Sequence, residues 1–289
     1  MGCLLLILLA APWGCQTLPI EKKAIVVETP EQLMEAIGPD REIHLKGGPY
    51  VLSGLSQRTL THGVWEAVHD GDQLIIRGVS NLKMKGLGKE PVRILVRPRY
   101  AYVLTFKNCR ALSLENIEFG HTPKKGYCTG GVLAFEKSST LSIRNCILSG
   151  SGSEGLTLKE VDGLTFQKSS IQGCTYGIMT VDQSSRLMFT DSQFGHNKGF
   201  DLISVNHSDD IRFTNCEIHD NWTGRSHGSD YALFSIGSSS EVTLEKCRIR
   251  HNEAPYFLRR EGMLMMKDCR LERNAFSQDG YRLRKKKNC

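Results

Sequence analysis

Short apolar strands recur along the chain, each with the two-residue alternation of a β-strand, and they return in a fixed alignment. The ten-residue blocks LSLENIEFGH (from Leu112), LSIRNCILSG (Leu141), LTFQKSSIQG (Leu164), LMFTDSQFGH (Leu187), IRFTNCEIHD (Ile211), VTLEKCRIRH (Val242) and LMMKDCRLER (Leu264) superpose without gaps. Their starts lie 29, 23, 23, 24, 31 and 22 residues apart, yet the first, third and eighth positions stay apolar. A shorter strand precedes the first six blocks: VLTF, VLAF, GLTL, IMTV, LISV and LFSI, the first beginning at Val103. Alternation turns Leu104/Phe106, Leu133/Phe135, Leu156/Leu158, Met179/Val181, Ile203/Val205 and Phe234/Ile236 to one face, the predicted core.

One repeat is therefore three short strands. Such a unit cannot bury its own apolar face, but stacking at about 4.8 Å per rung sets like residues above like and makes a continuous core. A leucine-rich repeat needs another consensus, and propeller blades run longer. The pattern resembles the right-handed parallel β-helix proteins of the pectin-lyase-like and NosD-like kind, whose rungs read as a G-I-x-L strand, an L-x-I-x-N strand and a third strand after a tight turn. The resemblance covers Leu82 to Phe276 and implies an all-β, single-stranded solenoid. It is specific for fold and weak for function, because one scaffold hosts many activities.

A stack exposes strand edges at both ends and needs covers. Residues 24–60 are expected to form an N-terminal cap containing a helix, with Thr29 as N-cap, Pro30 in the first turn, Gln32 completing a capping box, and Gly38-Pro39 ending it. The β-helix is expected over 61–276, and 277–289 as a basic tail. Residues 1–15 combine an apolar run, Leu4 to Ala11, with Gly14-Cys15, which resembles the lipobox of bacterial lipoproteins; 16–23 would be a linker. That resemblance implies export, lipidation at Cys15 and residence in the cell envelope, at the outer membrane or cell surface. Pro12, Trp13 and the lack of a basic residue before the run depart from it, and an ordinary cleaved signal is the alternative.

The net charge of +6 permits acidic partners without choosing among them. No cofactor and no nucleic-acid partner is expected, and the chain is read as a monomer. Ten cysteines include no CxxC and no zinc spacing, so no metal site is expected either. The sixth block position holds Cys146, Cys216, Cys247 and Cys269 in exchange with Ile117, Ser169 and Ser192, which points to small buried side chains and free thiols. The fifth position (Asn116, Asn145, Lys168, Asp191, Asn215, Lys246, Asp268) and the run Asn197, Asn221, Asn252, Asn274 read as turn devices bonding rung to rung.

In enzymes that this pattern resembles, substrate lies on the outer face of the first strand. Here that face presents Thr105/Lys107, Ala134/Glu136, Thr157/Lys159, Thr180/Asp182, Ser204/Asn206 and Ser235/Gly237. Glu136, Lys159 and Asp182 should stack with the lysine between the carboxylates, as a salt-bridged ladder or a catalytic set. Two long connections, 120–131 and 219–231, should wall a shallow groove, with Lys124, Lys125 and Tyr127 on one wall and Trp222, Arg225, His227 and Tyr231 on the other. Tyr176, His196 and Lys198 fall between them. Aromatic faces suit sugar rings and cations suit carboxylates.

No signature of the known β-helix enzymes is intact. Gly195-His196-Asn197 stands without an RIK element, Phe200-Asp201-Leu202 is not DPH, and Glu136 with Asp182 is too few for an all-protein Ca²⁺ site. Two readings follow. One is an anchored module that binds an acidic polysaccharide or a cell-envelope component without turnover; the other is a polysaccharide lyase or hydrolase with a non-standard site, in which His196 or Lys159 would be the base.

Overall fold

The computed structural model describes residues 24–122, 130–150, 152–224 and 230–277. Three sheets run along it. The first holds nine strands from Gly63–Val68 to Tyr256–Arg260, the second ten from Ile25–Val27 to Met263–Lys267, and the third nine from Tyr50–Val51 to Arg270–Glu272. Named strands pair in parallel, apart from the hairpin Gly63–Val68 with Gly71–Arg77 that opens the first sheet. The observed register is the block alignment itself: Leu112, Leu141, Leu164, Leu187, Ile211, Val242 and Leu264 pair in succession across the second sheet.

The core lies inside the coil. All twelve residues predicted to face inward from the first strands are at most 1% exposed. Like sits above like: the Phe106 and Phe135 rings stack at 5.1 Å and Phe189 and Phe213 at 4.5 Å. Burying each such ring contributes on the order of 2–3 kcal/mol.

The predicted helix forms over Pro30–Ala36. Thr29 Oγ1 accepts from the Gln32 amide at 3.2 Å, but Gln32 Oε1 reaches back one residue further than a capping box requires, accepting from the Glu28 amide at 2.7 Å. The following strands Arg41–Leu45 and Tyr50–Val51 pair straight into the second and third sheets, so the cap is the first turn of the coil. No described helix is long and apolar enough to cross a membrane.

At each corner a residue with positive φ turns the chain and the next side chain points inward to a hydrogen-bonded ladder. Ser138, Ser184, Ser208 and Ser240 are buried, and their hydroxyls accept amides of the rung before at 2.9–3.1 Å. The fifth block position supplies the positive φ at the next corner, from Asn116 (55°) to Asp268 (54°). Its side chains bond rung to rung in two pairs, Asn145 to Asn116 at 2.8 Å and Asn215 to Asp191 at 2.6 Å, and Asn116 also donates to the Gly86 carbonyl at 3.0 Å. The sixth position follows it inward: Ser169 Oγ accepts the Cys146 amide, and the thiols of Cys216 and Cys247 donate to Phe189 and Phe213 carbonyls at 3.3 Å. Serine and cysteine exchange there because each is small and can bond to the backbone. Cys109, Cys146, Cys216 and Cys247 are buried free thiols, Cys174 is buried, and Cys269, on the last rung, is a half-buried free thiol.

Candidate functional site

The first-sheet face has the predicted register, with Glu136 beside Lys159 and Lys159 beside Asp182. Its ion pairs run differently from expectation. Glu136 takes Lys107 at 2.7 Å, Asp182 faces His207 Nδ1 at 3.5 Å, and Lys159 makes no salt bridge among the described residues. Glu136 has a lysine on either side and needs one; His207, on the corner after Asn206, swings back over Asp182.

At the entry to this sheet, Gly131 leaves room for the Tyr102 ring, which a Cβ there would meet at 2.2 Å. The Tyr102 hydroxyl donates to Glu154 Oε1 at 3.0 Å, and the Thr157 hydroxyl lies 3.0 Å from it. Burial, then the Glu154 charge, push the phenol well above its ordinary range, so it stays a neutral donor.

Three rings stand on successive rungs beside the same entry. Phe200 stacks on Tyr176 at 5.1 Å and meets Tyr231 edge-on at 5.1 Å. Tyr176 and Tyr231 are half-buried, while Phe200 is 49% exposed. Gly199 makes the approach possible: its φ is +119°, and a Cβ would fall 2.3 Å from Tyr176 Cα. Beyond the row, Asp201 is ion-paired with Arg259, whose guanidinium also donates to Ser235 Oγ at 3.2 Å.

Sequence reasoning missed a fourth, narrow sheet that leads into this row, formed by Lys198–Gly199, Trp222–Thr223, Glu253–Ala254 and Ala275–Phe276. Lys198 pairs with Trp222, both exposed. A ladder of Asn197, Asn221 and Asn252, all buried, and half-buried Asn274 precedes it; the side-chain oxygens of the last three accept from the amide and side chain of the asparagine before, and that of Asn197 accepts the Cys174 amide.

His196 sits on the corner before that ladder, with Asp220 and His251 on the rungs after it. His219 joins them: its Nδ1 lies 2.8 Å from Asp220 Oδ2, and its ring meets the His196 ring edge-on at 5.3 Å. Arg250 Nη1 lies 3.4 Å from Asp220 Oδ2 and 3.1 Å from His251 Nδ1, and His251 Nδ1 lies 3.7 Å from Asp220 Oδ1. The His219 hydrogen bond, with the Arg250 and His196 charges, holds the Asp220 carboxyl below the usual range. The sequence carries a signal for this cluster, since the tenth block position reads His121, Gly150, Gly173, His196, Asp220, His251 and Arg273.

The structure thus joins Tyr176 and Tyr231 through Phe200, sets Lys198 and Trp222 beside them, and separates Glu136, Lys159 and Asp182 onto the neighbouring face. Lys124, Lys125, Tyr127, Arg225, His227 and Cys15 lie outside the described residues.

Residues 99–225 match the family model described as "Right handed beta helix region". The structure is also similar to the pectate lyase Pel9A, with a TM-score of 0.54 at 14% identity over 91% of this chain and 74% of that one. The chain is a right-handed parallel β-helix, pectin-lyase-like in fold. Further similar structures are an alginate lyase from Paenibacillus sp. str. FPU-7 (11% identity, 88% of this chain and 96% of that one, TM-score 0.48) and the surface protein and adhesin PfbA of Streptococcus pneumoniae (10%, 83% and 76%, 0.42). No curated protein sequence matches the chain. At these identities the likeness is one of fold, and the β-helix leaves the function to be argued from its outer columns.

Proposed function

We propose that the protein is an exported, lipid-anchored binding module that holds an extended acidic polysaccharide along the row Tyr176, Phe200 and Tyr231. The carrying observation is Phe200, a large apolar ring 49% exposed between two others, one per rung. Stacked in this way, one per rung, the rings present a continuous, partly exposed apolar ridge against which a chain of sugar rings can lie. Lys198 on the fourth sheet and Lys159 on the first flank the row as exposed cations for carboxylate groups. Similar solved structures include a pectate lyase and an alginate lyase, which supports a polysaccharide ligand. The lyase or hydrolase reading has less to rest on, because Glu136 and Asp182 each face a basic side chain, Lys107 and His207.

Binding of polyuronates and glycosaminoglycans by the full chain tests the reading. Phe200→Ala should weaken binding at least tenfold, whereas Met188→Ala, equally exposed on the second sheet, should not. Added salt should weaken binding as exposed charges are screened over about 8 Å. Equal affinity in Phe200→Ala, or no binding across the panel, refutes it. The anchor is tested separately, since Cys15→Ala should move the protein from the membrane to the soluble fraction as a monomer.

A further inference from the structure

We propose that His196, His219 and Asp220 form a binding site for a divalent first-row transition ion, with Zn²⁺ the representative. Each offers one ligand atom, and these atoms all lie within 4.8 Å of one another. Zn²⁺ bonds of about 2.0–2.1 Å in tetrahedral geometry put ligand atoms about 3.3 Å apart. Side-chain rotation at an exposed His196 closes that difference without moving the backbone. Two imidazoles and a carboxylate favour such ions over Ca²⁺, which takes oxygen ligands throughout.

Three features make the cluster a built site. The ring of His219 lies over Gly195, where a Cβ would come 2.5 Å from Cε1 and 2.6 Å from Nε2, so only glycine on that rung admits the ring in this position. His196 and Asp220 both occupy positive-φ corners (59° and 52°), and the residues following them, Asn197 and Asn221, are bonded into the buried ladder, which fixes where both corners point. His251, whose Nδ1 lies 3.7 Å from Asp220 Oδ1 and 3.1 Å from Arg250 Nη1, becomes a fourth donor once Arg250 is displaced. Arg250 is the group an ion must displace from Asp220; it stays held by Glu217, to which its Nε donates. Along the chain His196 is 23 residues from His219 and 24 from Asp220, and only the column alignment of the blocks brings it to the rung before them.

Chelator-treated full chain is dialysed against Zn²⁺ alone and its metal content measured, with Ca²⁺ as competitor. The parent should take up one ion through these residues, and His196→Ala and Asp220→Asn should each weaken uptake at least tenfold. Gly195→Ala, which keeps every donor but displaces the His219 ring, should weaken it too. His207→Ala, an exposed histidine on another corner, should bind as the parent does. Should Asp220→Asn fail to fold, the exposed His196→Ala decides, read also from Zn²⁺-induced shifts of the His196 and His219 ring protons. No uptake by the parent, parent-like uptake in His196→Ala, or equal displacement by Ca²⁺ overturns the assignment and leaves an ionic network.

Discussion

Asn221→Ala tests whether the buried asparagine ladder holds the stack. Asn221 is 1% exposed, and its side chain makes four contacts. Its Oδ1 accepts from the Asn197 amide at 2.9 Å and from Asn197 Nδ2 at 3.0 Å, while its Nδ2 donates to the Phe194 carbonyl at 2.9 Å and to Asn252 Oδ1 at 2.8 Å. Alanine leaves some of these groups with other partners. Asn197 Nδ2 keeps the Ile171 carbonyl, and Asn252 Oδ1 keeps the backbone amide of residue 221. The Asn197 amide and the Phe194 carbonyl lose their side-chain partner inside a buried corner. At about 1–3 kcal/mol for each buried group left unsatisfied, the variant should lose about 2–6 kcal/mol. Urea unfolding followed by circular dichroism measures it as a lower midpoint at unchanged slope. Because rungs touch mainly their neighbours, amide exchange should rise first around Asn197 and Asn252. A loss below 1 kcal/mol with unchanged exchange would show that the ladder follows the coil rather than holding it.

Two further outcomes are expected. Thiol blocking under denaturing conditions should label at least the six described cysteines, and native blocking should spare Cys146, whose thiol burial pushes up to about 12; mass measurement showing them as bridged pairs refutes this. Glu115→Gln should cost up to about 1 kcal/mol at neutral pH, since Arg144 (2.9 Å) and Lys85 (3.2 Å) outweigh the upward push of burial and hold its carboxyl low. A depressed folded pKa gives stability that is present above the unfolded value and lost as pH falls through the folded one, so parent and variant should converge below about pH 4 in acid titrations of stability.

The coil was legible because its register is written in repeated letters: Leu112, Leu141, Leu164 and Leu187 align in sequence and pair in space. The fourth sheet was not, because strands as short as Lys198–Gly199 carry no periodicity. Phe200 was passed over for a related reason. Its neighbours Tyr176 and Tyr231 stood out as polar aromatics in connections, whereas only the stack makes Phe200 the middle of a row. The pairing of Glu136 with Lys107 instead of Lys159 depended on side-chain reach, which register alone leaves open.

A β-helix converts distance along the chain into adjacency across rungs, and this decides where its chemistry can be found. Asp220 lies 24 residues from His196 and one rung away. The separation of neighbouring rungs, about 4.8 Å, is close to the reach over which two side chains can share a cation or a sugar ring. Straight strands fill that spacing with paired outward residues such as Glu136 and Lys107, which neutralise one another. Corners differ, because the inward ladder anchors each one and the positive φ throws a single side chain clear of the sheet. His196 and Asp220 therefore stand at fixed positions on neighbouring rungs, and Phe200, past the next bend, is left with its ring half in solvent. Ligands of this chain are accordingly expected on the corner columns that flank the fourth sheet, and substitutions there should alter binding with little effect on the coil.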